Sequence, residues 1–480
     1  MSNWIPPETR ALVLAELERR LAVEPEAVGA RFDRACLLAG AGRNDEAEAE
    51  YLALLAREPD HAGALNNLGA LLLLGGHRRA ARLVYAEAVK YHPDDPMGRV
   101  NLANMLQALG EIEPAEAQYR AVLALDPAHP EAHRGLAQLL SARGDEAEAE
   151  QHRAPAFRDR PVTLLSYRGT AAPVPMLVLV SARNGNLAYE TIVDQSVFEV
   201  SVLVAEYFDR ARGLPPHRLI LNAIGEADLC RPALEQAQAV VRLSGAPVVN
   251  RPEAVLATGR SGNAGRLQGL PGVRVPATLE LPRREIDPDR LAAAGLAFPL
   301  LLRAPGFHMG RHFTGVADPE ALPAAAASLP GETLMAIEYL DSQGPDGFWR
   351  KYRAMIVDGR LYPLHLAVSR GWKVHYFSAD MADSPEYRAE EAAYLADPEG
   401  SLGAGAMAAL DRIRAVLDLD YGGIDFGLSA DGEILLFEAN ATMIAALPSP
   451  DPIWDYRRGP AESVRAAARR MLAARAGMVG

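Results

Sequence analysis

A period of 34 residues runs through the first third of the chain. Gly42, Gly76, Gly110 and Gly144 recur at that interval, and so do Pro59, Pro93, Pro127 and Pro161. A repeat at this spacing describes a stack of like units, each of which buries its apolar face against the next. Ala35, Gly69, Ala103 and Ala137 fall at a small position where two helices touch, and Leu38, Leu72, Leu106 and Leu140 lie about one helical turn further on. The pattern predicts one helical hairpin per unit. The glycine ends the first helix, and Ala47, Ala81, Ala115 and Ala149 sit in the second. Tyr51, Tyr85 and Tyr119 supply its larger packing residue, and the proline stops it.

This spacing resembles the tetratricopeptide repeat, over about residues 28 to 163, with a helix at 7 to 22 as an N-terminal cap. The fourth unit departs from the pattern: Arg153 stands where the tyrosine should be, and Ala154-Pro155 is expected to interrupt its second helix. That unit reads as a degenerate cap. The resemblance implies a concave groove that binds a peptide or protein segment; the alternatives are packing on the chain's own enzyme domain or self-association.

Residues 1–163 leave most of a 480-residue chain for other domains. Apolar residues make up 49% and charged residues 23%, an ordinary globular balance, and no apolar run approaches the roughly 18 residues of a membrane helix. The N-terminus lacks a basic start and an apolar core, so the expected compartment is the cytoplasm. Cys36 and Cys230 are too few for a disulfide framework or a cysteine zinc site. A formal charge of -13 argues against nucleic acid and against an anionic membrane as partners.

After a linker at 164–173 the chain alternates strand and helix. Pro175 to Ser181 reads as a buried strand, the stretches near 198 to 212 and 230 to 243 as helices, and 218 to 224 and 246 to 249 as short strands, which together make a small α/β lobe over 174–250. From Phe298 to Arg303 a strand runs into Ala304-Pro305-Gly306-Phe307-His308-Met309-Gly310-Arg311-His312 and then Phe313-Thr314-Gly315-Val316. A strand, a glycine loop and a strand suit a flap over phosphates, to which Arg303, His308 and Arg311 could add charged hydrogen bonds; a surface hairpin with scattered cations would look similar.

Near the C-terminus, Gly422 to Asn440 reads as a β-hairpin turning at Asp431-Gly432. A two-residue turn pairs Ala430 with Glu433, and the same register sets Asp425 opposite Glu438, with Asn440 two positions on and facing the same way. Two facing carboxylates repel unless a cation lies between them, and hard oxygen ligands suit Mg²⁺ or Mn²⁺. His308, His312, His365 and His375 come with no Cys or Glu at a zinc spacing.

This order of features resembles the ATP-grasp superfamily over about residues 174 to 475, with the ATP-grasp lobes proper at 251–480. The resemblance implies a multidomain protein, an all-α repeat array followed by an α/β (α+β) ATP-grasp fold. It makes Asp425, Glu438 and Asn440 the magnesium ligands, and Glu338, Tyr339 and Leu340 part of the hinge against which adenine lies. Arg303 falls where the family carries a phosphate-binding lysine, and Arg260 is the best substitute for the first family lysine. Arginine neutralises phosphate but does not reproduce the compact ammonium. A second hairpin, Phe348 to His365, sets Lys351 and Arg353 on one strand face, and Arg353 and Arg370 are the candidates for contacting the triphosphate and the acyl-phosphate. Trp372, Tyr376 and Phe377 read as core packing.

The implied activity is an ATP-dependent carboxylate–amine ligase, ADP-forming and acting through an acyl-phosphate, with the nucleophile an amine or a similar group. The rivals are a repeat scaffold whose nucleotide-binding domain has lost catalysis and a kinase-like enzyme that stops after phosphorylation.

Overall fold

The structure, a computed structural model, describes residues 7–305, 312–374 and 379–478. The chain divides into two compact units, Met1–Arg160 and Pro161–Gly480.

The first unit is helical: α1 (Pro7–Val23), α2 (Val28–Gly40), α3 (Asn44–Leu55), α4 (Ala62–Leu74), α5 (Arg78–Tyr91), α6 (Pro96–Ala108), α7 (Ile112–Leu125), α8 (Pro130–Arg143) and α9 (Glu146–Phe157). After α1 these pair as four hairpins. Gly42, Gly76, Gly110 and Gly144 take φ values from 75° to 98°, the left-handed backbone that ends each first helix without a Cβ clash. The small positions are explained by the tyrosines. A Cβ on Gly69 would lie 2.5 Å from the Tyr85 ring of the same hairpin; outside the repeated positions and between units, one on Gly135 would lie 2.2 Å from the ring of Tyr119. The alanines and leucines read from the repeat are all buried. His61, Asp95 and His129, again 34 residues apart, accept N–H bonds as N-caps of α4, α6 and α8.

The fourth hairpin corrects one expectation, because α9 is not interrupted: Pro155 lies inside it. The proline falls in the last turn, and the N–H of Arg158 returns to the carbonyl of Ala154 at 2.9 Å, so the ladder closes beyond it. Arg153 takes the place of the tyrosine as a buried cation, with Glu146 and Glu150 at 2.9 and 2.6 Å.

The second unit contains, in chain order, β1 (Val162–Leu164), β2 (Val174–Val180), β3 (Phe198–Val204), β4 (Leu219–Asn222), α10 (Arg231–Val241), β5 (Val248–Val249), α11 (Pro252–Leu256), α12 (Arg260–Leu267), β6 (Val273–Arg274), β7 (Thr278–Pro282), α13 (Pro288–Ala293), β8 (Leu300–Arg303), β9 (Phe313–Val316), α14 (Leu322–Ser328), β10 (Thr333–Glu338), β11 (Trp349–Val357), β12 (Arg360–Ser369), α15 (Pro385–Ala396), α16 (Pro398–Leu402), α17 (Ala404–Leu417), β13 (Tyr421–Leu428), β14 (Ile434–Asn440) and α18 (Arg458–Arg475). They form three sheets, in the orders β1-β3-β2-β4-β5, β7-β10-β8-β9 and β12-β11-β13-β14-β6. The first is parallel except for β1, the second is antiparallel, and the third is antiparallel except for β6.

Here the helix expected from residue 198 is instead β3, followed by short 3-10 turns. Its valines, at 200, 202 and 204, favour a pleated strand, and β3 is enclosed between β1 and β2. The chain leaves the repeats at Pro161 rather than 163, since Val162–Leu164 already pairs with β3.

Candidate functional site

The C-terminal hairpin brings Asp425 opposite Glu438, as the sequence predicts, but by a different route. The turn is one residue longer than two: Leu428 pairs with Ile434, the Ser429 N–H donates to the Glu433 carbonyl, and Gly432 takes φ 78° in the three-residue loop between them. Left alone, that register would miss. A bulge between Asp425 and Phe426 leaves Phe437 without a partner and restores Asp425 to Glu438. A second bulge, between Arg353 and Ala354, does the same for Leu364 in β12 and leaves Arg353 opposite His365. Bulges re-aim side chains, and Leu364, His365, Phe437 and Glu438 all line one cavity of about 820 Å³.

Across the third sheet the registers therefore join four polar residues in one row: His365, Arg353, Asp425 and Glu438. Asp425 is fully buried. Arg353 donates to both of its oxygens, Nε at 2.5 Å and Nη2 at 2.8 Å, and the Lys351 ammonium lies 2.6 Å from Oδ2. Burial alone would raise the pKa of this carboxyl; the Arg353 and Lys351 charges outweigh it and hold the group far below the ordinary carboxylate range. His365 is pushed well below its ordinary value by burial first and by the Arg353 charge second, so it stays neutral. Asn440 donates its amide to Glu438 Oε1 at 3.0 Å, while its own oxygen accepts from the Thr442 N–H and hydroxyl.

The second sheet supplies the facing wall. Arg303 ends β8, and Glu338, Tyr339 and Leu340 follow from β10; all four line the cavity. Glu338 is anchored by Arg274 at 2.6 Å and by the N–H of Ala277 at 3.0 Å. Trp372 closes this wall edge-on to Phe313 and Tyr339. The sequence reading of Trp372 as core packing is thus incomplete, since it packs and also lines the cavity. Arg370 is exposed past the end of β12 and does not line the cavity. Arg260 begins α12. His308 and Arg311, like Tyr376 and Phe377, lie outside the described residues.

Sequence spacing gave no sign of a neighbouring cavity of about 70 Å³, lined by Glu226, Asp228 and Asn263 beside Glu438 and Asn440. The loop after β4 reaches this place because Gly225 has no side chain: a Cβ there would lie 2.7 Å from the backbone of Ala441. Asn263 is fixed by donating to the carbonyls of Thr258 and Ala439, which leaves its buried Oδ1 without a hydrogen-bond partner.

Among the described residues no group of three or more His, Cys, Asp and Glu side chains is placed to hold a metal ion. Asp425, Glu438 and Asn440 offer two carboxylates and an amide, a hard-oxygen set that fits Mg²⁺ or Mn²⁺ in kind. Two adjustments would be needed. The Asn440 amide must turn its oxygen from Thr442, and Asp425 must share its carboxylate with Lys351 and Arg353. Two carboxylates and two cations already balance, so a divalent ion would leave the row with excess positive charge, the state that suits a bound polyphosphate.

The tetratricopeptide repeat family model matches residues 32–96 and 100–152. Solved structures of repeat proteins are similar to about a third of the chain. MamA from Desulfovibrio magneticus is 20% identical, with 31% of this chain and 84% of that one covered and a TM-score of 0.29. A thermophilic repeat protein of Thermus thermophilus is 25% identical, covering 32% and 84% with a TM-score of 0.28. A tetratricopeptide repeat protein from Parabacteroides merdae is 18% identical, covering 32% and 61% with a TM-score of 0.30. No curated protein matches the chain. The N-terminal region is built of tetratricopeptide repeats, and the second unit is a separate body of mixed sheets and helices. No described helix is long and apolar enough to cross a membrane.

Proposed function

We propose that the second unit is an ATP-dependent ligase of the ATP-grasp kind, which joins a carboxylic acid to an amine or similar nucleophile, and that the repeats recognise a peptide or protein substrate or partner. The observation that carries the reading is the row His365, Arg353, Asp425 and Glu438 on the floor of a cavity whose opposite wall holds Arg303 and the 338–340 segment. ATP supplies the phosphoryl group, and Mg²⁺ or Mn²⁺ on Asp425, Glu438 and Asn440 supplies charge neutralisation at its phosphates.

The chain's own residues do the rest. Tyr339 and Leu340 offer an apolar wall to the base, and Arg303 offers a guanidinium to the phosphates. Lys351 and Arg353, held on Asp425, would turn toward anionic oxygen as charge develops. A carboxylate oxygen of the acid attacks the γ-phosphorus and the bond to ADP breaks. The nucleophile's nitrogen then attacks the acyl carbon, and phosphate leaves with the C–O bond electrons and takes up the proton that the nitrogen sheds. No side-chain nucleophile is required.

A second reading, a nucleotide-binding scaffold without turnover, is favoured by one observation: Asp425 already pairs with two cations. Turnover separates the two. With Mg-ATP, a panel of acids and hydroxylamine as nucleophile, the ligase forms ADP, phosphate and a hydroxamate, and Glu438→Gln lowers the rate at least about tenfold. Mg-ATP binding without ADP under every acid supports the scaffold, and no Mg-ATP binding removes both.

A further inference from the structure

The cavity continues beyond Asn440 into a part that phosphate chemistry does not use. Along the third sheet the next row on the same face joins Tyr362, Met355, Gly423 and Asn440. Gly423 is the decisive residue, since a Cβ there would lie 2.5 Å from the Met443 sulfur and 3.1 Å from that of Met355. Its bare backbone lets both methionines lie on the sheet. Leu364, Met443 and Ala461 belong to one apolar cluster with Met355, and Ile444 packs against it. Leu364, Met443, Ile444, Ala446, Pro448 and Ala461 all face the cavity. The cation on this wall, Arg457, is bound to the buried Glu391 at 2.8 Å through Nε and 2.5 Å through Nη2.

We propose that this apolar end seats the body of the acid substrate, an aliphatic or aromatic monocarboxylic acid whose carboxylate meets Lys351 and Arg353. The assignment rests on the ligase reading for its direction, because the carboxylate must lie at the polar row and the base takes the 339–340 wall. The body then has only the side beyond Asn440. A polar body there would surrender its hydration to methyl and thioether groups without new hydrogen bonds, whereas an apolar one gains by burial. Met443 adds adaptable shape, so chain length or ring size should matter less than polarity.

The test uses the full chain with octanoate and phenylacetate as apolar probes and succinate and glutamate as polar ones. Calorimetry should find octanoate or phenylacetate bound at least tenfold more tightly than either polar acid. Ile444→Asn should weaken the apolar acid at least tenfold while Mg-ATP affinity changes less than twofold. Ala446 is exposed, so Ala446→Trp fills this end without entering the core and guards against a misfolded Ile444→Asn; it should have the same effect. The proposal falls if neither apolar acid binds, if a polar acid binds as tightly, or if Ala446→Trp leaves apolar binding unchanged. Apolar binding with no ADP formed would keep the pocket and remove the ligase, while ADP formed with a polar acid alone would keep the ligase and remove the pocket.

Discussion

Asp425 has no exposed surface, and both its oxygens are held by Arg353 and Lys351, whose side chains are about a fifth exposed at 23% and 21%. Removing its charge strands two half-buried cations, and breaking such a cluster costs about 3 kcal/mol, the lower end for buried pairs because the cations keep some water. Asp425→Asn should therefore lower stability as well as turnover, in urea unfolding of the full chain, while Glu438→Gln should stay within about 1 kcal/mol of the parent. The pH dependence follows from the depressed pKa. Asp425 contributes its stability at every pH above the unfolded carboxyl value of about 3.9, and loses it as pH falls from there toward the lower folded value. The deficit of Asp425→Asn should be flat from pH 7 to about 4 and shrink only below that; a deficit already shrinking at pH 6 would contradict the assignment. The alternation of a strand made Asp425, Glu438 and Asn440 readable from sequence as one face. Their cations were not readable as partners, because Lys351 and Arg353 reach Asp425 only through the pairing of β11 with β13, more than seventy residues apart for Arg353.

Element by element, what could be read from sequence divides along local against distant causes. The repeat hairpins are local: a glycine at left-handed φ and an alanine or glycine under a tyrosine recur within 34 residues. Gly69→Ala tests that packing, since the new methyl would lie 2.5 Å from the Tyr85 ring; it should cost about 2 kcal/mol as an overpacked core does, and much less in a Tyr85→Ala background. The fourth hairpin carries a further device in His133 and His152, whose Nδ1 atoms are 2.8 Å apart. Burial, then the His133 charge, lowers the pKa of His152, so the unfolded chain takes its proton first, near pH 6.5. Stability of α8 and α9 should fall as pH drops below about 6.5, read as faster amide exchange in those helices, and His152→Gln should flatten the profile. The bulges at Leu364 and Phe437, by contrast, have no sequence signal, because each answers a mismatch of register with a strand elsewhere. The strand β3 is a different case: Phe198-Glu199-Val200-Ser201-Val202 alternates apolar and polar residues with period two, a local strand signal that the expected helix overrode, and its place between β1 and β2 agrees with that signal.

For the whole molecule, each unit has its own apolar core. The helical cluster runs from Leu14 to Ala149, and the other clusters lie entirely at or beyond residue 165. Clusters that do not cross between the units imply two units that can fold separately. The composition and the repeat made this division readable, but not where to cut. A cut at Pro173, within the expected linker's end, would remove β1 and bare the edge of β3, together with Leu165, which packs against the apolar cluster. An uncovered strand edge invites association. The fragment 161–480 should be monodisperse and bind Mg-ATP within about threefold of the full chain, since every proposed ligand lies beyond its start, whereas 173–480 should aggregate. The fragment 1–160 should keep its helical circular dichroism on its own. If the repeats recognise a peptide or protein substrate, 161–480 should lose at least about tenfold in apparent affinity for that substrate while its turnover of a small acid with hydroxylamine is unchanged. Equal affinity for the macromolecular substrate in a folded 161–480 would take recognition away from the repeats and assign it to the second unit alone.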